Sequence, residues 1–224
     1  HKKYLGANMS PKKHPKVGVV VPTYNRREFL KANLSALLNQ NYDEPYCVVL
    51  VDDGSTDNSL EYVVEQFSRD IQSIEDQTTE SNQYLNPEGK LIVIRQHNKH
   101  IAGARNTGFR KLFQLGCTYI THQDSDDLAL PHKLRTLAGY LDRHRNINVV
   151  HAKAHTITNE GILLDPIESP WERDYNYPWG NFGDGPETLW DRARHRKWKQ
   201  GDLQTQNYIH NHTIMYRARS IAKL

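Results

Sequence analysis

Short apolar runs alternate with longer amphipathic stretches over the first two thirds of the chain. The runs at residues 17–22 and 46–51 are continuous and rich in β-branched residues, which is typical of strands buried on both faces of a sheet. Between them, residues 26–40 carry Leu30, Leu34 and other apolar side chains on one stripe, which predicts a helix. A strand, helix, strand order predicts a parallel α/β sheet with right-handed crossovers.

The same alternation predicts most of the remaining elements. They are helices over 57–69, 101–115 and 130–144, with Leu134, Leu137, Ala138 and Leu141 of the last facing inward, strands over 91–95, 117–120, 148–152 and 208–216, and a hairpin over 155–164. Residues 70–90 are polar and rich in turn formers, so we expect an exposed insertion there. Residues 165–201 hold all four tryptophans without any periodicity, which predicts a long loop.

These elements predict three regions. They are a poorly ordered leader over 1–15, an α/β half over 16–152, and a smaller, irregular half over 153–224. The tryptophans of the irregular half could stack on sugar rings or simply anchor the loop.

Three aspartates, Asp124, Asp126 and Asp127, follow the strand predicted at 117–120. In open α/β sheets, ligands bind at the carboxyl ends of the strands. Three carboxylates this close repel one another unless a cation stands between them, and hard oxygen ligands suit Mg²⁺ or Mn²⁺. An acidic turn that caps the next helix would explain the same residues without any ligand.

Polar segments also follow the other predicted strands, so we expect four groups of side chains at one edge of the sheet. Tyr24 offers a face on which a base could stack, which is worth about 1–3 kcal/mol. Asp53 could accept a hydrogen bond from a base N–H, and Arg105 could balance phosphate charge. Asp126 and Asp127 could then hold a ribose hydroxyl and a metal that neutralises a leaving diphosphate as a Lewis acid.

The sequence fits the motifs of other nucleotide-binding folds less well. Asp53 after the second strand would also suit the ribose-binding acid of a dinucleotide fold, but the first turn lacks G-x-G-x-x-G. The sequence has no G-x-x-x-x-G-K-[ST] loop either. Gly103 and Gly108 could serve tight turns and helix packing alone. Tyr24 could be a half-buried core aromatic, and Arg105 an ordinary surface residue.

Composition excludes several classes of protein. The 224 residues are 37% hydrophobic and 25% charged, which is polar but globular. The net charge is only +3 and residues of both signs are interspersed, so charge gives no reason to expect nucleic-acid binding. No apolar run reaches the roughly 18 residues of a membrane span. Cys47 and Cys117 lie in apolar runs and are expected to be buried thiols, which suits a cytoplasmic location, with peripheral membrane association as an alternative.

Four motifs taken in order resemble the family 2 glycosyltransferases of the GT-A fold. They are VGVVVPTYNRREFLKANLSALLNQ, VLVDDGSTDNS, NKHIAGARNTGF and THQDSDD, and the resemblance covers about residues 17–152 and, more loosely, 153–164 and 208–220. It implies a mostly parallel sheet flanked by helices, with a Rossmann-like nucleotide-binding half and a smaller acceptor-side half. It also implies a hexosyl- or N-acetylhexosaminyltransferase that uses Mn²⁺ or Mg²⁺. Such an enzyme moves a sugar from a nucleoside-diphosphate donor, often a uridine one, to a saccharide or glycoconjugate hydroxyl with inversion.

The resemblance also implies roles for individual residues. The nucleotide-sugar-binding positions are Pro22, Tyr24, Asn25, Arg26, Asp53, Arg105 and Asp126, and the metal positions are Asp126 and Asp127, with Asp124 as a supporting acceptor.

The general base is the part of the family pattern that the sequence does not supply. Inverting members take the acceptor proton with an Asp or Glu beyond the strand that resembles 208–217, and the sequence ends at Leu224. Asp202, His210 and His212 lie in the right region, but none is assigned. Because a general base contributes about 10²–10⁴-fold to the rate, a non-catalytic nucleotide-sugar-binding module is the main alternative. A nucleotidyltransferase is a weaker one, since its glycine-rich phosphate loop is missing.

Overall fold

The computed structural model describes residues 14–152, 154, 157–158 and 213–222. Within them the strands are β1 Val17–Thr23, β2 Tyr46–Asp52, β3 Ile71–Asp76, β4 Ser81–Tyr84, β5 Leu91–Arg95, β6 Tyr119–His122, β7 Val149–His151 and β8 Ile214–Arg217. The helices are α1 Arg27–Leu38, α2 Ser59–Phe67, α3 His100–Gln114, α4 Lys133–Arg143 and α5 Ala218–Ile221. The strands form an eight-stranded sheet in the order β4-β3-β5-β2-β1-β6-β8-β7.

The centre of the sheet is parallel and both ends are antiparallel. β1 pairs in parallel with β2 and β6, β2 pairs in parallel with β5, and β5 pairs in parallel with β3. At one end β4 runs antiparallel to β3, and at the other β8 runs antiparallel to both β6 and β7. The prediction of a mostly parallel α/β sheet flanked by helices is therefore confirmed.

Helices cover both faces of the sheet. On one face Val21 and Leu50 pack in a core with leucines of α1 and α4 and with α2. On the opposite face Val20 packs with Leu112 of α3. Because successive strand residues point to opposite faces, both sets of positions in β1 and β2 are buried, which explains their continuous apolar runs.

Two glycines allow α3 to lie close against β1. A Cβ atom at Gly108 of α3 would collide with the side chain of Val20. A Cβ atom at Gly18 of β1 would stand 2.5 Å from Cδ2 of Leu112 and 2.9 Å from Sγ of Cys117. The close approach brings the first turns of α3 to the carboxyl edge of the sheet.

The prediction of an exposed insertion at 70–90 is wrong in part. This stretch contains β3 and β4, and β3 joins the sheet by parallel pairing with β5. Ile71 and Ser73 are buried, whereas all four residues of β4 are exposed. The apolar pattern of the sequence did not predict β3, because a strand near the edge of the sheet buries only one face. In β3 the polar residue Ser73 occupies one of the inward positions.

Several predictions fall wholly or partly outside the described residues. They concern most of the leader, the hairpin over 155–164, the loop over 165–201, and the first part of the strand over 208–216, of which 214–216 belong to β8. The division into three regions stays a prediction. Cys47 and Cys117 are free and buried, as expected. In the part of the chain that the structure describes, no helix is long and apolar enough to cross a membrane.

Candidate functional site

A cavity of about 710 Å³ opens at the carboxyl edge of the parallel strands. Its wall combines the chain after β1, after β2 and after β6 with the first turns of α3. The sequence-predicted residues on this wall are Pro22, Tyr24, Arg26, Asp53, Arg105, Asp124 and Asp126. Of the other two, Asn25 and Asp127, neither belongs to the wall formed by the described residues. The structure thus brings together side chains from four segments that are far apart in sequence.

Asp53 is held in a fixed orientation at one end of the cavity. It is 3% exposed, and its backbone N–H donates to the carbonyl of Thr23 over 2.9 Å. Its Oδ1 atom accepts hydrogen bonds from Nε2 of Gln96 over 2.6 Å and from the backbone N–H of Lys99 over 2.9 Å. Both donors use the same oxygen, so Oδ2 is the carboxylate oxygen left for a ligand.

Tyr24 stands on the cavity wall with 48% of its surface exposed. The next residue, Asn25, has a φ of 52°, a left-handed conformation that asparagine tolerates better than most residues. Its side-chain Oδ1 accepts from the backbone N–H of Thr56 over 2.8 Å, and its own N–H donates to Oγ of Ser55 over 3.0 Å. Asn25 therefore ties the loop after β1, which carries Tyr24, to the loop after β2.

An ion pair joins α3 to the acidic segment, which we define as residues 124–127. Nη2 of Arg105 donates to Oδ1 of Asp124 over 2.6 Å, and both side chains are partly buried. Nε of Arg26 lies 3.8 Å from Oδ2 of Asp126, whose side chain is 47% exposed. Asp124 is therefore engaged with a guanidinium, whereas Asp126 is the looser and more accessible carboxylate.

Lys133 places a further cation behind the acidic segment. Its ammonium group donates to Oε1 of Gln123. Burial lowers the pKa of Lys133 to about 8, although Asp127 and Asp124 act in the opposite direction. The acidic segment therefore has cationic side chains on more than one side.

Some polar residues of the site were not anticipated from the sequence. Gln96 is fully buried beside Asp53, and a single polar residue after a strand gives no periodic signal. His100 lies on the cavity wall with a φ of 60°. Its backbone N–H donates to Oδ1 of Asn98 over 3.1 Å. A left-handed histidine is uncommon, and only the backbone geometry reveals it.

The residues at the cavity suit a divalent ion that is shared with phosphate. Across the described ranges, no three His, Cys, Asp or Glu side chains are grouped so that they could hold a metal by themselves. Asp124 and Asp126 do supply carboxylates on the wall. Mg²⁺ and similar ions are commonly held by one or two carboxylates together with the phosphates of a substrate, so this donor set fits. Asp202, His210 and His212, considered above as bases, lie outside the described residues.

Comparison with known proteins gives a consistent result. The sequence model of the family described as Glycosyl transferase family 2 matches residues 18–221. A UDP-N-acetylglucosamine--dolichyl-phosphate N-acetylglucosaminyltransferase from Methanococcus voltae is 31% identical over 113 residues, which are 50% of this chain and 42% of that protein.

Two solved structures share the fold over almost the whole chain. S. aureus TarS 1-349 in complex with UDP superposes with a TM-score of 0.55 at 20% identity, over 93% of this chain and 48% of that one. The mannosyltransferase PcManGT from Pyrobaculum calidifontis, in complex with GDP-Man and Mn²⁺, has a TM-score of 0.55 at 18% identity, over 95% of this chain and 47% of that one. The fold is thus the GT-A fold that the motifs implied. The chain spans about half the length of these proteins or less.

Proposed function

Because the chain belongs to glycosyl transferase family 2, we propose that it binds a nucleoside-diphosphate sugar with uridine as its base and transfers the sugar to an acceptor hydroxyl. The acceptor is a saccharide or glycoconjugate, and the sugar a hexose or N-acetylhexosamine. The acceptor oxygen bonds to the anomeric carbon from the face opposite the diphosphate, which inverts that carbon. The bond to the diphosphate oxygen breaks, its electron pair leaves with the diphosphate, and the hydroxyl proton passes to a general base, a role to which no described residue is assigned.

The observation that carries this proposal is the cavity, which combines an aromatic ring, a fixed carboxylate, a guanidinium and an accessible carboxylate. Tyr24 can stack on a base, and stacking tolerates any base. Asp53 adds selectivity between the pyrimidines because a carboxylate oxygen accepts from a ring N–H. Uracil carries such an N–H at N3, whereas the corresponding nitrogen of cytosine is itself an acceptor. The name of the Methanococcus voltae relative, which includes a UDP-sugar, agrees with this choice of base.

The diphosphate would lie in the cavity beside Arg105 and Asp126. Arg105 offers guanidinium donors beside the cavity, and Asp126 is the accessible carboxylate facing it. Asp126, which lines the cavity, is the carboxylate that we propose to hold Mn²⁺ or Mg²⁺, with Asp127, which is not on the described cavity wall, as the second proposed ligand. The PcManGT complex with GDP-Man and Mn²⁺ supports a divalent ion in this fold. When bound, the ion neutralises charge that develops on the leaving diphosphate.

The proposal is tested with UDP and a panel of UDP-sugars, in Mn²⁺ and in chelator. We expect UDP to bind more tightly in Mn²⁺ and UDP-sugar turnover to be stimulated by Mn²⁺ and lost in chelator. Asp126→Asn should lose the effect of Mn²⁺ on UDP affinity. The exposed Asp43, away from the cavity, provides the matched control Asp43→Asn, which should retain that effect.

Two results would change the conclusion. If UDP binds in a metal-dependent way but no UDP-sugar is turned over with any acceptor, the chain is a nucleotide-sugar-binding module without a general base. If Asp126→Asn binds UDP in Mn²⁺ as well as the unaltered chain does, the assignment of the metal side is wrong.

A further inference from the structure

We propose that Asn33 is a positioning residue that holds the acidic segment, and with it the diphosphate end of the donor. This inference rests on the proposed function for the identity of the ligand. Asn33 lies on α1 and is 1% exposed. Its Nδ2 atom donates to the backbone carbonyl of Asp124 over 2.9 Å and to that of Asp127 over 2.7 Å. One side-chain amide therefore holds both ends of the acidic segment.

The chemistry of Asn33 indicates that these two bonds are its role. A polar side chain on the buried face of a helix costs free energy unless it is hydrogen-bonded. Asn33 lies among Leu30, Leu34 and Leu37, where an apolar residue would fit the pattern. Its Oδ1 atom is buried and has no hydrogen-bond partner among the described residues. The amide thus retains one unsatisfied acceptor while its donor binds two carbonyls of the loop.

A second side-chain amide, just beyond the end of α1, also bonds the chain that follows the acidic segment. Gln40 lies two residues after Leu38, the last residue of α1, and is buried. Its Nε2 atom donates to the carbonyl of Leu130 over 2.9 Å, and its Oε1 accepts from the N–H of Leu134 over 3.2 Å. The backbone N–H of Asn41 donates to the carbonyl of Pro131 over 2.7 Å.

The hydrogen bonds of Asn33 to the acidic segment link two walls of the cavity. α1 begins directly after Arg26, which faces Asp126, and the same helix holds the backbone of the acidic segment through Asn33. Loss of the Asn33 bonds would let the carboxylates move relative to Arg26 and Arg105. The base side at Tyr24 and Asp53 has its own hydrogen bonds and does not depend on Asn33.

The test separates binding of the base from binding of the metal-bound diphosphate. Asn33→Leu removes both hydrogen bonds and places an apolar side chain among the buried leucines of α1. Asn33→Asp keeps the shape of the side chain but replaces the amide donor by a carboxylate oxygen. We expect either variant to weaken UDP binding in Mn²⁺ by about tenfold and to change uridine binding by less than about twofold. The matched control is Asn39→Asp, because Asn39 is exposed directly after the end of the same helix and its Nδ2 bonds the carbonyl of Ser35.

Hydrogen exchange at residues 124–131 gives a measurement that does not depend on any ligand. Exchange should be faster in Asn33→Leu than in Asn39→Asp. Equal exchange together with unchanged UDP affinity in Mn²⁺ would overturn the role of Asn33. If the unaltered chain binds no UDP at all, the proposed function fails, and hydrogen exchange alone then decides whether Asn33 holds the acidic segment.

Discussion

Gln96 and Asp53 form a buried pair in which Nε2 of Gln96 donates to Oδ1 of Asp53 over 2.6 Å. The backbone N–H of Lys99 donates to the same oxygen. The carboxylate therefore cannot rotate freely, and it presents one particular oxygen to the cavity. The pair connects the end of β5 with the end of β2, so the orientation of a potential base acceptor is set by the sheet itself.

The first prediction concerns base selectivity at Asp53. Replacing it as Asp53→Asn removes the charge and makes one of the two terminal atoms a donor. We expect affinity for UDP to fall by about tenfold or more and the preference for UDP over CDP to shrink, because the two bases differ at the ring nitrogen that Asp53 would meet. Isothermal titration with both nucleotides measures this. An unchanged ratio of UDP to CDP affinity would show that Asp53 does not contact the base.

The second prediction uses Arg105 to test the position of the diphosphate. Arg105→Met leaves Asp124 without its guanidinium partner, so an additional negative charge would repel a diphosphate. We expect UDP affinity to fall by about tenfold or more while uridine affinity stays within about twofold. The UDP affinity of Arg105→Lys should lie between those of Arg105→Met and the unaltered chain, because lysine keeps the charge but not the planar fork of donors. A parallel loss of uridine binding would place Arg105 on the base side.

The third prediction compares two helical glycines. Gly108→Ala places a Cβ against the side chain of Val20 and forces α3 away from β1, so we expect a loss of about 1–3 kcal/mol in the free energy of unfolding. Gly139 lies in α4, and a Cβ there would meet only the terminal Nη1 of Arg143 at 3.4 Å. Gly139→Ala should therefore stabilise the protein by about 0.5–1 kcal/mol. Urea denaturation of both variants measures whether the free energy of unfolding falls in Gly108→Ala and rises in Gly139→Ala.

The fourth prediction concerns the pH dependence of stability. Burial raises the pKa of Asp52 above its ordinary 3.8, although hydrogen bonds from Ser55 oppose the shift. A carboxyl whose pKa is higher in the folded state destabilises that state when ionised. Asp52→Asn keeps an oxygen for the Ser55 N–H and removes the charge. We expect the variant to be the more stable at pH 7, with the difference shrinking as the pH falls towards 3.8.

Urea midpoints at pH 7 and near pH 4 measure this difference. The matched control is Asp43→Asn, since Asp43 is exposed. A difference between Asp52→Asn and the unaltered chain that grows as the pH falls would contradict the direction of the shift.

The sequence was most informative where burial is complete. β1 and β2 were predicted almost to the residue because both faces are covered, and the inward positions of α4 were predicted because its stripe is regular. β3 was missed because it buries one face and carries polar residues. Asn33 lies on the predicted stripe of α1, but its bonds reach residues more than 90 positions away, and local periodicity carries no such information.

The residues of the candidate site were also predictable only in part. The segments after β1, β2 and β6 could be expected at one edge because parallel strands share a direction. The partners of those side chains could not be predicted in this way. Gln96 and His100 are single polar residues whose importance depends on a hydrogen bond or on a backbone angle, and neither leaves a pattern in the sequence.

The pairing of β7 with β8 has a consequence for how the rest of the chain can vary. His151 stands opposite Ile214, and the N–H of Ala152 donates to the carbonyl of Thr213 over 3.2 Å, so the chain leaves the sheet and re-enters it at adjacent positions. When the ends of a connection are already held together, each doubling of its length adds only about 0.6 kcal/mol of closure entropy. The closure entropy of the connection between Ala152 and Thr213 therefore depends only weakly on its length, because the pairing of β7 with β8 already fixes both of its ends.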